Sequence, residues 1–416
     1  MSNWQIKGGK QLSGSLRVQG AKNSVLPIMA ASILTGCETE LTSCPDLSDV
    51  SASIKILENL GCTVKRDGDV VNIDSRGQTS CHIPHELMRE MRSSVIFLGA
   101  ILGRCGEAVL SMPGGCELGP RPIDLHLEAL AALGATIDER GGNIYCSASK
   151  LRGTQINLSF PSVGATENAI LAACAAEGET VITNAAREPE IVDLQRYLTA
   201  LGADVRGAGT STVIVGGFLP KERVGHRVMG DRIVASTMLS AVAATGGYLH
   251  LRNVEPSDFE TVTQALEQMG CEIERRQDSI SLRSDGRLRA GKPISTRPYP
   301  GFPTDAAPPL MSAALKAEGT TVFIENIFEN RFRHVPEMVL MGAEIRTEGR
   351  VAMVTGVQTL HGAPVTSTDL RGGAALVLAG LLAEGETLVH DPGHIDRGYE
   401  QLDSDLRQLG ADVTRN

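Results

Sequence analysis

Six times along the chain a Leu-Gly or Met-Gly step is followed by a small or Cys residue, a polar one and a β-branched one. The copies are Leu60-Gly61-Cys62-Thr63-Val64, Leu133-Gly134-Ala135-Thr136-Ile137, Leu201-Gly202-Ala203-Asp204-Val205, Met269-Gly270-Cys271-Glu272-Ile273, Met341-Gly342-Ala343-Glu344-Ile345 and Leu409-Gly410-Ala411-Asp412-Val413. Each Gly reads as a helix C-terminal cap with a strand behind it. The steps between them are 73, 68, 68, 72 and 68 residues, so the chain is a six-fold repeat before it is anything else. A second Gly closes an earlier, apolar helix in every copy: Gly36, Gly106, Gly178, Gly246, Gly319 and Gly385. β-rich segments follow, as in Thr180-Val181-Ile182-Thr183, so one unit reads helix, strand, helix, strand, strand.

Fourteen positions before each of these upstream glycines stand Lys22, Arg92, Gly164, Arg232, Asp305 and Arg371. Five of the six are charged, and each lies at or near the start of an apolar helix. Charge at a solvated helix end is usually decoration. Six in register are different, because helix N-termini present unpaired amides and a positive dipole end to an anion. Packed so that these ends face a common cleft, the repeats would bind a multiply anionic ligand.

From each helix-ending Gly to the next marked position the chain runs 31, 30, 30, 35 and 29 residues. Only six residues follow Gly410, and 22 lead up to Lys22; joined, these 28 restore the usual length. The strands expected around Trp4-Gln5-Ile6-Lys7 and Ser15-Leu16-Arg17-Val18 should therefore complete the sixth unit. Three units per domain follow, with residues 22–229 as the N-terminal domain and residues 1–21 with 230–416 as the C-terminal one.

Composition narrows the function. With 42% hydrophobic residues but 3% aromatic, a large core must be aliphatic. A net charge of -10 disfavours nonspecific nucleic-acid binding, though not a local basic site for a small anion. The nine cysteines are odd in number and hold no Cys-x-x-Cys pair, which predicts reduced thiols in a cytoplasmic protein and no structural zinc. Apolar runs such as Ala374 to Ala383 are too short for a membrane helix. Phosphate-binding, dinucleotide, zincin and nucleophile-elbow motifs are all missing, so no metal or cofactor is expected.

One thiol stands apart. In Met112-Pro113-Gly114-Gly115-Cys116-Glu117-Leu118-Gly119-Pro120-Arg121-Pro122 the glycines and prolines exclude helix and central strand. They leave Cys116 no apolar face to bury against, and Arg121 is placed to favour a thiolate. The plainer reading is a turn that contains a Cys. Arg121 and Arg397 occupy matching places in repeats two and six, 13 residues before their helix-ending Gly, and a guanidinium fork suits phosphate or carboxylate. Arg187 and Arg333 read equally well as structural ion pairs. Asp305 is the one acid among the marked positions; it either caps its own helix or takes a proton from a substrate hydroxyl.

These segments closely resemble the UDP-N-acetylglucosamine 1-carboxyvinyltransferase family. The likeness rests on Gly20-Ala21-Lys22-Asn23-Ser24, the Cys116 loop running into Arg121-Pro122-Ile123-Asp124-Leu125-His126, and Ser162-Val163-Gly164-Ala165-Thr166. It continues through Phe302-Pro303-Thr304-Asp305, Phe328-Glu329-Asn330-Arg331-Phe332, Thr368-Asp369-Leu370-Arg371 and His394-Ile395-Asp396-Arg397-Gly398-Tyr399-Glu400. The resemblance covers nearly the whole chain. It implies an α/β fold, an inside-out α/β barrel of two domains with three βαβαββ repeats each, pseudo-threefold, helix N-termini facing the interdomain cleft. It also implies enolpyruvyl transfer from phosphoenolpyruvate to the 3'-hydroxyl of UDP-N-acetylglucosamine, with neither cofactor nor obligate protein partner.

By the same resemblance Cys116 protonates the methylene carbon of phosphoenolpyruvate and is the thiol that the epoxide fosfomycin alkylates. Asp305 deprotonates the sugar hydroxyl. Lys22, Asn23, Arg121 and Arg397 hold phosphoenolpyruvate and the tetrahedral intermediate. Arg92, Arg121, Pro122, Ile123, Asp124, Leu125, Ser162, Val163, Gly164, Asp305 and Ile327 contact the nucleotide sugar. Arg331, Asp369, Leu370 and Arg371 support them. Two departures stand out: Ala306-Ala307-Pro308-Pro309 after Asp305, and Phe160 where some members carry a basic residue. Rival readings are a weakened nucleotide-binding paralogue and the sister transferase acting on shikimate 3-phosphate, which lacks this Cys loop.

Overall fold

A computed structural model of the chain describes residues 3–91, 93–112 and 123–415. These fall into two compact units, one of the described residues between 20 and 229, the other of residues 3–19 and 230–415.

The repeat is visible in backbone angles. The six glycines of the Leu/Met-Gly steps have φ between 89° and 112°, and the six upstream glycines have φ between 63° and 97°. A side chain strains the backbone there, which is why the spacing of glycines marks the helix ends.

Each repeat places one helix in the centre of its unit. In the 20–229 unit these are α1 (Lys22–Ala31), α2 (Phe97–Cys105) and α3 (Val163–Ala173). In the other they are α4 (Arg232–Thr245), α5 (Ala307–Ala314) and α6 (Leu370–Leu382). A helix apolar on all sides has to be enclosed. Every residue of α5 is buried, and in α4 and α6 only one end residue escapes. Helix α5 packs on both α4 and α6, and α2 packs on α1 and α3. Small residues permit the close approach: a Cβ on Gly99 of α2 would lie 2.4 Å from the Asn168 carbonyl oxygen of α3.

Six four-stranded sheets cover these helices. In the first, Arg223–Arg227 runs parallel to Glu38–Thr42, which pairs antiparallel with Val70–Asp74, itself antiparallel to Thr63–Asp67. The other five follow this order. Two closing strands per repeat were read from sequence; three are present, and the last, as short as His82–Ile83, leaves its own repeat to pair with the next one's first strand. Such two- and three-residue strands are below what hydrophobic alternation can signal.

In the 20–229 unit the exchange closes on itself, because Arg223–Arg227 of the third repeat joins the sheet of the first. In the other unit Asn3–Lys7 lies antiparallel between Glu386–His390 and Asp412–Arg415. Leu12–Arg17, also assigned to the sixth unit by the length count, behaves as that repeat's third strand and pairs parallel with Gly247–Arg252 of the fourth. Each unit has its own core.

Gly20, at the entry to α1, tests the tightness of this packing: a Cβ there would stand 1.9 Å from the Ser43 carbonyl oxygen. Gly20→Ala is expected to lower stability by about 2 kcal/mol or more. Gly225→Ala, where a Cβ meets nothing within 4 Å, should leave the denaturant midpoint within experimental error.

Candidate functional site

Lys22, Ser162, Val163, Gly164, Asp305, Asp369, Leu370 and Arg371 fall at the starts of the buried helices. In the unit of residues 3–19 and 230–415, Asp305 lies in the 3-10 turn Thr304–Ala306 that leads into α5. Pro308 and Pro309, the departure from the family pattern, sit in the first turn of α5. Helix-initial amides have no intrahelical acceptor, so two prolines cost the helix nothing there. The carboxylate itself is held on both oxygens, by Arg331 Nη2 at 3.0 Å and Arg371 Nε at 3.3 Å. Both arginine side chains are 2% exposed, against 28% for Asp305, so the acid presents the open side of the cluster.

Arg331 also donates from Nε and Nη2 to the Thr304 carbonyl, at 3.1 and 2.9 Å, and its Nη1 lies 3.9 Å from Asp369 Oδ1. Asp369 caps α6, accepting from the amides of Arg371 at 3.1 Å and Gly372 at 2.9 Å. Burial alone would lower the Arg371 pKa; Tyr399, Asp305 and Asp231 more than reverse this, and it stays raised and charged. The Arg371 guanidinium lies 5.1 Å from the centre of the Tyr399 ring, whose hydroxyl is 2.9 Å from Thr237 Oγ1. Leu370 at the head of α6 abuts Gly398: a Cβ on that glycine would be 2.8 Å from either Leu370 methyl carbon. Arg397 therefore starts from a backbone pressed against the same helix.

Ile327 joins this group through a residue the sequence reading missed. Buried Glu325 accepts from Thr304 Oγ1 at 2.9 Å and from the amides of Ile327 and Phe328 at 2.7 and 2.9 Å. It ties the Ile327 loop to the turn carrying Asp305. The signal available was its place just after the strand Thr320–Ile324, where four other repeats carry Ser43, Asn184, Asn253 or Asp391, all with positive φ.

In the 20–229 unit Lys22 opens α1, buried, with Nζ 2.5 Å from Asp49 Oδ2. Asp49, in the first turn of Ser48–Asn59, was not anticipated. Asn23 alone among the α1 residues is exposed. Ser162 caps α3 by accepting from the Ala165 amide at 3.3 Å, and Val163 and Gly164 form its first turn. Asp124 and Leu125 begin a second helix, Asp124–Ala132, just after Ile123. The two helix starts meet at His126: a Cβ on Gly164 would be 2.9 Å from its Cε1. Glycine is needed there by contact rather than by conformation. Arg92, Cys116, Arg121 and Pro122 lie outside the described residues. Exposed Phe160 and Arg187, whose Nε donates to the Gly209 carbonyl at 3.2 Å, lie in the 20–229 unit.

The 20–229 unit thus carries Lys22 and Ser162 at helix starts, and the other unit carries a carboxylate anchored by two guanidiniums. A family model described as EPSP synthase (3-phosphoshikimate 1-carboxyvinyltransferase) matches residues 6–406. The chain is 47% identical to UDP-N-acetylglucosamine 1-carboxyvinyltransferase 2 of Caldanaerobacter subterraneus, with 100% of both chains covered. It is 45% identical to UDP-N-acetylglucosamine 1-carboxyvinyltransferase 1 of Staphylococcus aureus, over 99% of this chain and 98% of the other. Among solved structures it is similar to the enolpyruvyl transferase NikO of Streptomyces tendae, at 26% identity and a TM-score of 0.88, covering 100% of this chain and 99% of that one. EPSP synthase from Acinetobacter baumannii shares the fold, at 21% identity and a TM-score of 0.75 with 100% of both chains covered.

His126 supplies a pH test. Burial lowers its pKa to about 4, and Asn168 Nδ2, 2.7 Å from Nδ1, requires that nitrogen as an acceptor. The unfolded chain, with a His pKa of about 6.5, binds a proton that the folded one refuses. This contribution is complete above that value and is lost as pH falls towards 4. Between pH 7 and pH 4 the parent protein should lose about 2–3 kcal/mol more stability than His126→Gln, read from denaturant titrations at both pH values.

Proposed function

The chain belongs to the UDP-N-acetylglucosamine 1-carboxyvinyltransferase family, and we propose that the residues at its core-helix starts divide that family's reaction among them. The enzyme transfers the enolpyruvyl group of phosphoenolpyruvate to the 3'-hydroxyl of UDP-N-acetylglucosamine and releases phosphate, a step of peptidoglycan synthesis.

The reaction is an addition followed by an elimination. Cys116 delivers a proton to the methylene carbon of phosphoenolpyruvate as the sugar oxygen attacks the neighbouring carbon. Asp305 takes the proton from that oxygen. The tetrahedral adduct then gives up a methyl proton and expels phosphate, leaving the enol ether. Lys22, Arg121 and Arg397 bind the phosphate and carboxylate and stabilise the charge that develops on them. Asn23 orients the adduct. Arg92, Arg121, Pro122, Ile123, Asp124, Leu125, Ser162, Val163, Gly164, Asp305 and Ile327 contact the nucleotide and sugar, while Arg331, Asp369, Leu370 and Arg371 support Asp305.

The observation that carries this reading is the anchoring of Asp305 by Arg331 and Arg371 on separate oxygens. A carboxylate fixed in this way meets an incoming hydroxyl without reorganising, which is what a general base requires. It also answers the altered Ala306-Ala307-Pro308-Pro309 segment, since the acid is aimed by arginines rather than by the helix start. The eight described cysteines are all free, which supports a cytoplasmic setting. No helix among the described residues is long and apolar enough to cross a membrane.

Phosphate release from phosphoenolpyruvate, measured with and without UDP-N-acetylglucosamine, tests the assignment. Release should require the sugar nucleotide. Asp305→Asn should cut kcat by about 10²–10⁴-fold, and Cys116→Ser should cut it strongly near neutral pH and abolish alkylation by fosfomycin. Nucleotide binding without sugar-dependent release would instead favour the regulatory paralogue, and an undiminished rate in Cys116→Ser would remove the thiol from the mechanism.

A further inference from the structure

We propose that Gln19 is a positioning residue for Arg397, holding the backbone that follows it as a two-pronged amide clasp. The inference rests on the reading that Arg397 binds phosphoenolpyruvate. Gln19 Oε1 accepts from the Glu400 amide at 2.8 Å, and Nε2 donates to the Gly398 carbonyl at 3.3 Å. One backbone donor and one backbone acceptor fix which way round the amide lies. Neither a carboxylate nor an apolar side chain can serve both.

The clasp has a firm base. Gln19 follows the strand Leu12–Arg17, which is paired along its length with Gly247–Arg252. Between strand and clasp, the Val18 amide donates to the Arg252 carbonyl at 3.0 Å and the Val18 carbonyl accepts from Asn253 Nδ2 at 2.8 Å. The Gln19 carbonyl accepts from the Asp231 amide at 2.9 Å, at the cap of α4. What it grips needs holding: Arg397 ends a 3-10 segment, Pro392–Arg397, whose hydrogen bonds are weaker than those of an α-helix. Within the next three residues Tyr399 is buried against Arg371 while the Gly398 carbonyl and Glu400 amide are both taken by Gln19. The guanidinium of Arg397 therefore swings from a backbone pinned on one side by α6 and on the other by Gln19.

Steady-state phosphate release with each substrate varied in turn tests this. Gln19→Leu, close in size but unable to bond, should raise the KM for phosphoenolpyruvate about tenfold, the effect of two lost hydrogen bonds. The KM for UDP-N-acetylglucosamine should stay within about twofold and the thermal midpoint should fall by no more than about 4 °C. Gln19→Glu keeps the acceptor for Glu400 and opposes the Gly398 carbonyl, and should shift the same KM in the same direction. In an Arg397→Ala background, Gln19→Leu should add nothing. An unchanged KM for phosphoenolpyruvate in both Gln19 variants, or a rise in both KM values together with a midpoint lowered by more than about 4 °C, overturns the inference. Arg397→Ala separates the two failures. If it leaves the KM for phosphoenolpyruvate unaltered, the reading of Arg397 fails and the inference with it; if it raises that KM while Gln19→Leu does not, the clasp alone fails.

Discussion

A helix that is apolar on every side cannot end at the surface of its own repeat. Helix α6 buries twelve of its thirteen residues, and one repeat has only a single sheet to lay against it. At roughly 1.5–3 kcal/mol for each large apolar side chain, leaving such a helix half covered would cost more than a domain's net stability. Three repeats solve this together, each lending a helix to the middle and a strand to its neighbour's sheet. The rest of the structure follows: glycines in left-handed conformation turn the chain off each helix, and few aromatics are used because the interior is filled by Ala, Leu, Val and Ile.

The same arrangement leaves the helix ends for polar side chains. Since the bodies of the core helices are enclosed, their ends are what remains for function, and those ends carry Lys22, Asp305, Asp369 and Arg371. Charges there are largely out of water, so they must be matched. Arg331 is 1% exposed and is balanced by Asp305 and, more distantly, Asp369. Stripping one partner from a buried pair costs about 3–5 kcal/mol, so these residues are bound to one another by stability as well as by function. An anchored Asp305 carboxylate is one result. The other is that Asp49 is tied to Lys22 in one unit, and in the other Glu325 is tied to the turn carrying Asp305, and Tyr399 and Asp231 to Arg371.

Much of this was legible in the chain. The six-fold spacing, the glycine caps and the charged helix starts are encoded locally, and local encoding survives in sequence. What was not legible depends on pairing across distance. The third strand of each repeat is two to six residues long and follows a loop, so nothing near it says that it belongs to the next sheet. Leu12–Arg17 is the sixth repeat's copy, and its pairing with the fourth sheet could not be read for this reason. Likewise Glu325 looks like any surface acid until the turn carrying Thr304 folds back on it. Pro308 and Pro309 stood out as a departure from the family pattern; at the first turn of α5 they are compatible with the helix.

The insertion of Asn3–Lys7 between Glu386–His390 and Asp412–Arg415 also sets an order of events during synthesis. All the strands of the 20–229 unit leave the ribosome in one contiguous stretch, so that unit can close while the remainder is still being made. The first strand of the chain waits for partners nearly four hundred residues later. Until they emerge it is an unpaired β edge, and the sixth sheet stays open with it. Chaperone capture and aggregation during biogenesis should therefore concentrate on this late-closing half, a burden created by the separation of paired strands along the chain rather than by how stable the finished unit is.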